Sequence, residues 1–276
     1  MKLGRGLWRG LTTIAAFFGF ALLYLPLFAV AVYSFNAAER GLLWTGFSIR
    51  WYLDLFADPE TNRRAMEIRE VAVNTLMLGG ASTLIATVLG TLLALGMHFP
   101  WPSSVSRVLE SIVDIPAVAP DITFAAVLVM AFNVLRRVVD QWFEPSMTTM
   151  IIGHVTFEIA FVTLIVRSRL VAIGPTLSEA AMDLYASPWI HFRRVTLPLL
   201  WPAIVGGAML AFTLSLNDFV ISFFTSGPRS VTLPLYVYQS QMRGVRTDLF
   251  AISTLLLIGV AVSIVILERL TRWRHD

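Results

Sequence analysis

The chain has 276 residues, of which 57% are apolar and 14% charged, with a net charge of +3 and a mean hydropathy of +0.73. That balance leaves too little charge to dress a soluble surface of this size, and the apolar residues fall in long runs that a soluble fold rarely tolerates. The absence of cysteine excludes a disulfide framework, thiol chemistry and a cysteine-ligated metal, and the scattered basic residues point to anionic lipid headgroups rather than nucleic acid.

A helix needs roughly 20 apolar residues to cross a hydrocarbon core about 30 Å thick, and six stretches qualify. The first, Leu11–Phe35, carries no charge and follows Lys2, Arg5 and Arg9. Ala29-Val30-Ala31 resembles a cleavage site, but the run is too long for a signal-peptide core, so it reads as an uncleaved signal-anchor. In the polar stretch that follows, Trp51, Tyr52, Leu55 and Phe56 share one face at helical spacing, with Arg50, Asp54 and Asp58 elsewhere. This predicts an amphipathic helix lying in the membrane interface. The second span, Asn74–Met97, shows Ala86, Gly90 and Ala94 at four-residue intervals, a stripe that lets helix backbones approach closely.

The third span, Leu109–Leu135, holds Glu110, Asp114 and Asp121 together with Pro116 and Pro120. On an unbroken helix its three acids fall within about 40° of one another. The fourth, Met147–Val166, contains His154 and Glu158 four residues apart. That spacing suits a metal, but with no third ligand a hydrogen-bonded bundle histidine is the better reading. The fifth, Leu197–Phe224, holds Asn217 and Asp218 near its far end, and the sixth, Leu249–Leu267, is uncharged. Spans two to five are expected to form the packed core. Six spans place both termini on one side. Basic residues divide almost evenly between the two sides, so the orientation rests on the basic flank of the first span and the clusters Arg167/Arg169 and Arg272/Arg274, which put both termini in the cytoplasm.

The connection from Arg167 to Pro198 reads as two short helices joined by a turn. Ser178 is placed to cap the segment beginning at Glu179. Ser187 before Pro188 is an N-cap and first-turn pair for the second helix, which carries Trp189, Ile190, Phe192 and Val195 until Leu197-Pro198 turns the chain back into the membrane. Exposed aromatic residues on such a helix need a partner surface or lipid.

Glu179-Ala180-Ala181, then Ala186-Ser187, then Leu197-Pro198 resembles the EAA loop of binding-protein-dependent ABC importer permeases. The resemblance implies an all-α polytopic protein of six transmembrane helices, a single permease domain over residues 1–276 with the type I (MetI-like) fold, in the bacterial inner membrane. It also implies that residues 167–198 couple to a cytoplasmic ATPase through Glu179, Ala180, Ala181, Ser187, Leu197 and Pro198. Tyr185 stands where the family has glycine, and a left-handed residue there costs roughly 1 kcal/mol or more. His154-Val155-Thr156-Phe157, the run Ala211–Asp218, Ser226-Gly227-Pro228, Leu233-Pro234 and Pro120-Asp121 are similar to the second permease subunit of spermidine/putrescine importers. That likeness implies a sister permease, two ATPase subunits that bind ATP and magnesium, and a substrate-binding protein outside. The chain itself is expected to hold no cofactor.

Ionisable groups inside a membrane span default to a functional expectation. Asp121, Asp218, Asn217, Glu158 and Asp114 are the candidates for a path that replaces the hydration of a di- or triamine stepwise without holding it. Polyamine permeases often carry two acids where this chain has Asn217-Asp218, and Glu158 is expected to restore the missing charge. Tyr236 and Tyr238 offer π faces to an ammonium, though membrane anchoring explains them as well. A secondary transporter would show inverted repeats and paired broken helices, and an intramembrane enzyme would need a nucleophile or metal constellation. Neither pattern is found, and no Walker A segment is present, so the chain is expected to be a non-catalytic gate moved by others. Another cargo, such as an amine conjugate, an amino acid or a ferric complex, is the alternative within the same importer class.

Overall fold

The computed structural model describes residues 2–57, 62–174, 176–242, 244 and 246–272, with side chains excepted at 2–10, 64, 263–268 and 270–272. Asp58 and Arg274, and the side chains of Lys2, Arg5, Arg9 and Arg272, lie outside that description. Among the described residues there are helices and only isolated bridges between extended residues. Among the described residues four helical stretches are long and apolar enough to cross a membrane, Leu11–Tyr33, Ala65–Met97, Met147–Ile173 and Pro188–Asn217, or five if a bent pair of helices counts as one span. The chain divides into two units, residues 1–68 with 237–276, and residues 69–236.

The first unit contains α1 (Lys2–Tyr33), α2 (Arg50–Leu55) and α12 (Thr247–Arg272). Both α1 and α2 pack against α12. The loop between α1 and α2 is organised around Asn36, which is fully buried. Its side chain donates to the Leu43 carbonyl at 2.8 Å and accepts from the Thr45 amide at 3.0 Å, while the Trp51 indole donates to the Asn36 carbonyl at 2.7 Å. The amphipathic helix predicted for the membrane interface is therefore corrected in part. Trp51 and Leu55 are buried by protein, and Phe56, just beyond the helix end, is exposed. The apolar part of α12, Thr247–Val262, is shorter than a full crossing among the described residues.

The second unit is built on α3 (Arg63–Met97), α6 (Met147–Ile173) and α9 (Leu197–Asn217). Ser82, Ala86 and Ala94 have no exposed surface. A Cβ added at Gly90 would lie 2.8 Å from the Val162 Cβ of α6, and one at Gly207 of α9 would lie 3.4 Å from a Val162 methyl. The small-residue stripe thus lets three helices close on one valine. Val162 joins Ala94, Val166, Leu170, Leu200 and Ala211 in the principal core.

The third predicted span is corrected. It is two helices, α4 (Ser103–Val118) and α5 (Asp121–Val138), bent by 113° at the break. Pro120 disfavours helical geometry at the residue before it, and Ala119 is extended at φ −64°, ψ 139°. α5 packs on α10 (Val220–Thr225) through Ala125, Leu128, Phe132 and Ile221. α10 is separated from α9 because Asp218 is extended, so the fifth predicted span is also interrupted. The connection after α10 is tied to α3: the Asn74 amide donates to the Arg229 and Val231 carbonyls, and the Leu233 amide donates to Thr75. Gly227 there admits no side chain, since a Cβ would sit 2.1 Å from the Pro145 carbonyl oxygen. α11 (Leu233–Gln241) carries Tyr236, half-buried, and Tyr238, exposed.

Candidate functional site

Between α6 and α9 the chain forms α7 (Thr176–Asp183) and α8 (Pro188–His191). α7 starts three residues earlier than predicted, so Ser178 lies inside the helix and does not cap it, with Glu179 still in the first turn. α7 ends in a Schellman turn: the Ala186 amide donates to the Ala181 carbonyl at 3.1 Å and the Tyr185 amide to the Met182 carbonyl at 2.9 Å. Tyr185 takes the left-handed position at φ 57° and is 97% exposed. Ser187 caps α8, accepting from the Ile190 amide at 3.4 Å, with Pro188 at the first turn. Beyond α8 the chain does not turn at Leu197-Pro198, as predicted. A π turn at Phe192–Thr196 carries the helix directly into α9, accommodating Pro198, whose missing N–H would leave a gap in a regular ladder.

The outer surface of this segment is apolar and uncovered. Met182, Leu184, Tyr185, Trp189 and Ile190 are all exposed, and Glu179 and Ala180 with them. Ala181 and Leu197 are half-buried, while Ser187 and Pro198 are exposed. Its inner side lines a cavity of about 600 Å³ with Leu95, Phe99, Leu170, Trp189 and Phe192 among the walls. Such a surface is left uncovered by the chain's own core and calls for a partner surface or lipid to cover it.

A second constellation lies within the helices. His154 and Glu158 of α6 are 1% and 0% exposed. The imidazole Nδ1 is 2.8 Å from the Ser215 hydroxyl of α9, and Nε2 is 3.3 Å both from the Ser222 hydroxyl of α10 and from Asp218 Oδ2. Glu158 Oε1 accepts from Ser82 of α3 at 3.0 Å and lies 3.7 Å from His154 Nδ1, and Ser82 and Ser215 are 3.2 Å apart. Asp218 accepts from the Ile221 and Ser222 amides at 3.2 and 2.8 Å, which makes it the cap of α10. These six polar residues join four helices around the break at Asp218. Both ring nitrogens of His154 are engaged inside the cluster.

Residues 86–274 match the family model described as "binding-protein-dependent transport system inner membrane component". The chain belongs to this permease family. The putrescine transport system permease protein PotI of Escherichia coli K12 is 35% identical over 244 residues, which cover 88% of this chain and 84% of that protein. The spermidine/putrescine transport system permease protein PotC of the same strain is 32% identical over 256 residues, 92% of this chain and 90% of that protein. Among solved structures, a chain of a bacterial ABC transporter that imports the acidic polysaccharide alginate superposes with a TM-score of 0.72 at 19% identity, over 99% of both chains. A second alginate transporter structure, in complex with an alginate-pentasaccharide-bound periplasmic protein, gives 0.68 over 96% of this chain and 94% of that one, also at 19% identity. At that identity the likeness concerns the fold alone, which is the type I importer permease fold.

In the permease the five acidic and amide residues singled out from sequence do not form one row. The 113° bend removes the shared face of Glu110, Asp114 and Asp121. Glu110 is ion-paired to Arg167 of α6. Asp114 is exposed on α4 and Asp121 is exposed in the first turn of α5. Asn217, the last residue of α9, is exposed, whereas the Asp218 side chain is 15% exposed and Glu158 is enclosed within the subunit. Sequence reading missed Ser82, Ser215 and Ser222. Ser82 extends the Ala86, Gly90, Ala94 spacing by one turn, and that phase was the signal available.

Proposed function

We propose that this permease forms one half of the translocation path of an ATP-driven polyamine importer in a bacterial inner membrane, with both termini cytoplasmic. The observation that carries the cargo class is the 35% identity to a putrescine permease over 88% of the chain. A sister permease supplies the other half of the path, a soluble binding protein delivers cargo from outside, and two ATPase subunits bind ATP and magnesium. The permease is non-catalytic. Its part in the cycle is mechanical: the segment from Glu179 to Val195 docks on the ATPase and passes motion through the continuous helix Pro188–Asn217 to the break at Asp218. The uncovered apolar face of α7 and α8 supports that docking role.

For the path itself, the exposed positions at or beside the two helix breaks, Asp121, Asn217 and Asp114, are the groups available to a passing ammonium. The enclosure of Glu158 speaks for an interior role and against its standing in for a missing path carboxylate. Uptake of labelled spermidine and putrescine by cells lacking this chain, with and without its restoration, tests the reading. Restored uptake supports it. Restored assembly with an ATPase but no polyamine uptake removes the cargo and keeps the importer.

A further inference from the structure

The geometry points to His154 as a positioning residue that holds the Asp218 cap, and to Asp218 as a structural cap of α10, with no direct contact to cargo. This deepens the importer reading above and rests on it only for the uptake measurements. Three observations converge. Asp218 already receives two backbone amides of α10, one on each oxygen, and faces the His154 ring, so both oxygens are engaged within the subunit. His154 touches both sides of the break, Ser215 on α9 and Ser222 on α10. Glu158 and Ser82 close the ring's far side from α6 and α3. α10 has six residues, too few to persist as a helix without tertiary support, so its place depends on the cap and on Ile221 and Thr225, which are 2% and 1% exposed.

A pure path carboxylate and a cap respond differently to substitution. Asparagine caps a helix about as well as aspartate but carries no charge, whereas alanine does neither job. The chain has no native cysteine, so a single introduced thiol is the only one on this subunit, and labelling is read on this subunit's band after separation from its partners. The experiment uses the whole importer in membranes and measures labelling of Thr225→Cys on α10 by a membrane-impermeant maleimide, with Ala211→Cys on α9 as the control, since Ala211 is also fully buried.

In the Thr225→Cys background, His154→Ala should speed labelling about tenfold, the shift that goes with one lost charge-assisted hydrogen bond. His154→Gln should restore most of the protection, and Ala211→Cys should stay protected throughout. Asp218→Ala should open α10 similarly and lower the maximal uptake rate without changing KM, while Asp218→Asn, which keeps one of the two acceptor oxygens, should keep most of the α10 protection and leave KM unchanged. Protection of Thr225→Cys in His154→Ala overturns the assignment, as does equal labelling of Ala211→Cys, which would mean general unfolding. A tenfold rise in KM for putrescine in Asp218→Asn with α10 still protected overturns the cap role in favour of cargo contact. If the parent importer moves no polyamine, the cargo reading fails, and the labelling result still decides the role of His154.

Discussion

The interior of the α3–α6–α9 unit and the segment from Thr176 to Thr196 treat apolar surface in opposite ways. In the interior, Ser82, Ala86, Gly90, Val162, Gly207 and Ala211 leave neither space nor uncovered surface, and five of the six cluster residues are less than 5% exposed. In the segment, Met182, Leu184, Tyr185, Trp189 and Ile190 face outward, although the backbone there is as well satisfied, with a Schellman turn and a serine cap. The difference shows which part of the chain is complete alone. A helix surface that folds well yet covers nothing needs a partner or lipid to cover it, while the buried polar cluster ties helices together through its own hydrogen bonds, with Glu158 Oε2 its one unpartnered oxygen among the described residues.

The contrast can be broken most sharply on the outward side. Glu179→Lys should reduce ATP-driven uptake to background while leaving the melting temperature of the purified complex unchanged, because Glu179 is exposed and supports no core. Retained uptake would remove the docking role. On the inward side the largest effect should come from Gly227→Ala, since the new Cβ meets backbone 2.1 Å away. A loss of about 3 kcal/mol or more is expected, seen as failure to recover folded protein. Gly90→Ala should cost about 1–3 kcal/mol by the same crowding, and Val162→Ala should offset part of it, so the double variant should be less destabilised than the sum of the two single variants in thermal unfolding.

Smaller effects sharpen the comparison within the segment. Ser187→Ala should lower stability by about 1 kcal/mol through loss of the cap. Tyr185→Gly should raise it by no more than about 0.5 kcal/mol. Relief of left-handed strain is worth about 1 kcal/mol, and the added freedom of glycine in the unfolded chain offsets about 0.4–1 kcal/mol of that.

Much of this was legible in the residues. Ala86, Gly90 and Ala94 announced a close helix contact through spacing alone, and Ser187-Pro188 announced a helix start. Tyr185 was recognisable only through the family resemblance, since it stands where the family has glycine, and the structure supplies the reason, a Schellman turn with Tyr185 at φ 57°. The third span was less readable. Pro120 marked a boundary, but a proline sets the local backbone of its predecessor and leaves the angle between the flanking helices open. The 113° bend follows from where α4 and α5 find packing partners, α6 for one and α10 for the other. For the same reason a row of carboxylates drawn on a straight helix did not survive.

By itself the sequence determined the apolar stretches, the Ser187 cap and the membership in a permease family, since these depend on residues near one another in the chain or on length and hydropathy. Only the tertiary structure decided that Glu158 is enclosed with His154, and that Asp218 caps α10 while facing that histidine. Ser82, His154, Ser215 and Ser222 are brought together from four helices, and hydrogen bonding over a few ångströms between residues more than sixty positions apart leaves no trace in local spacing.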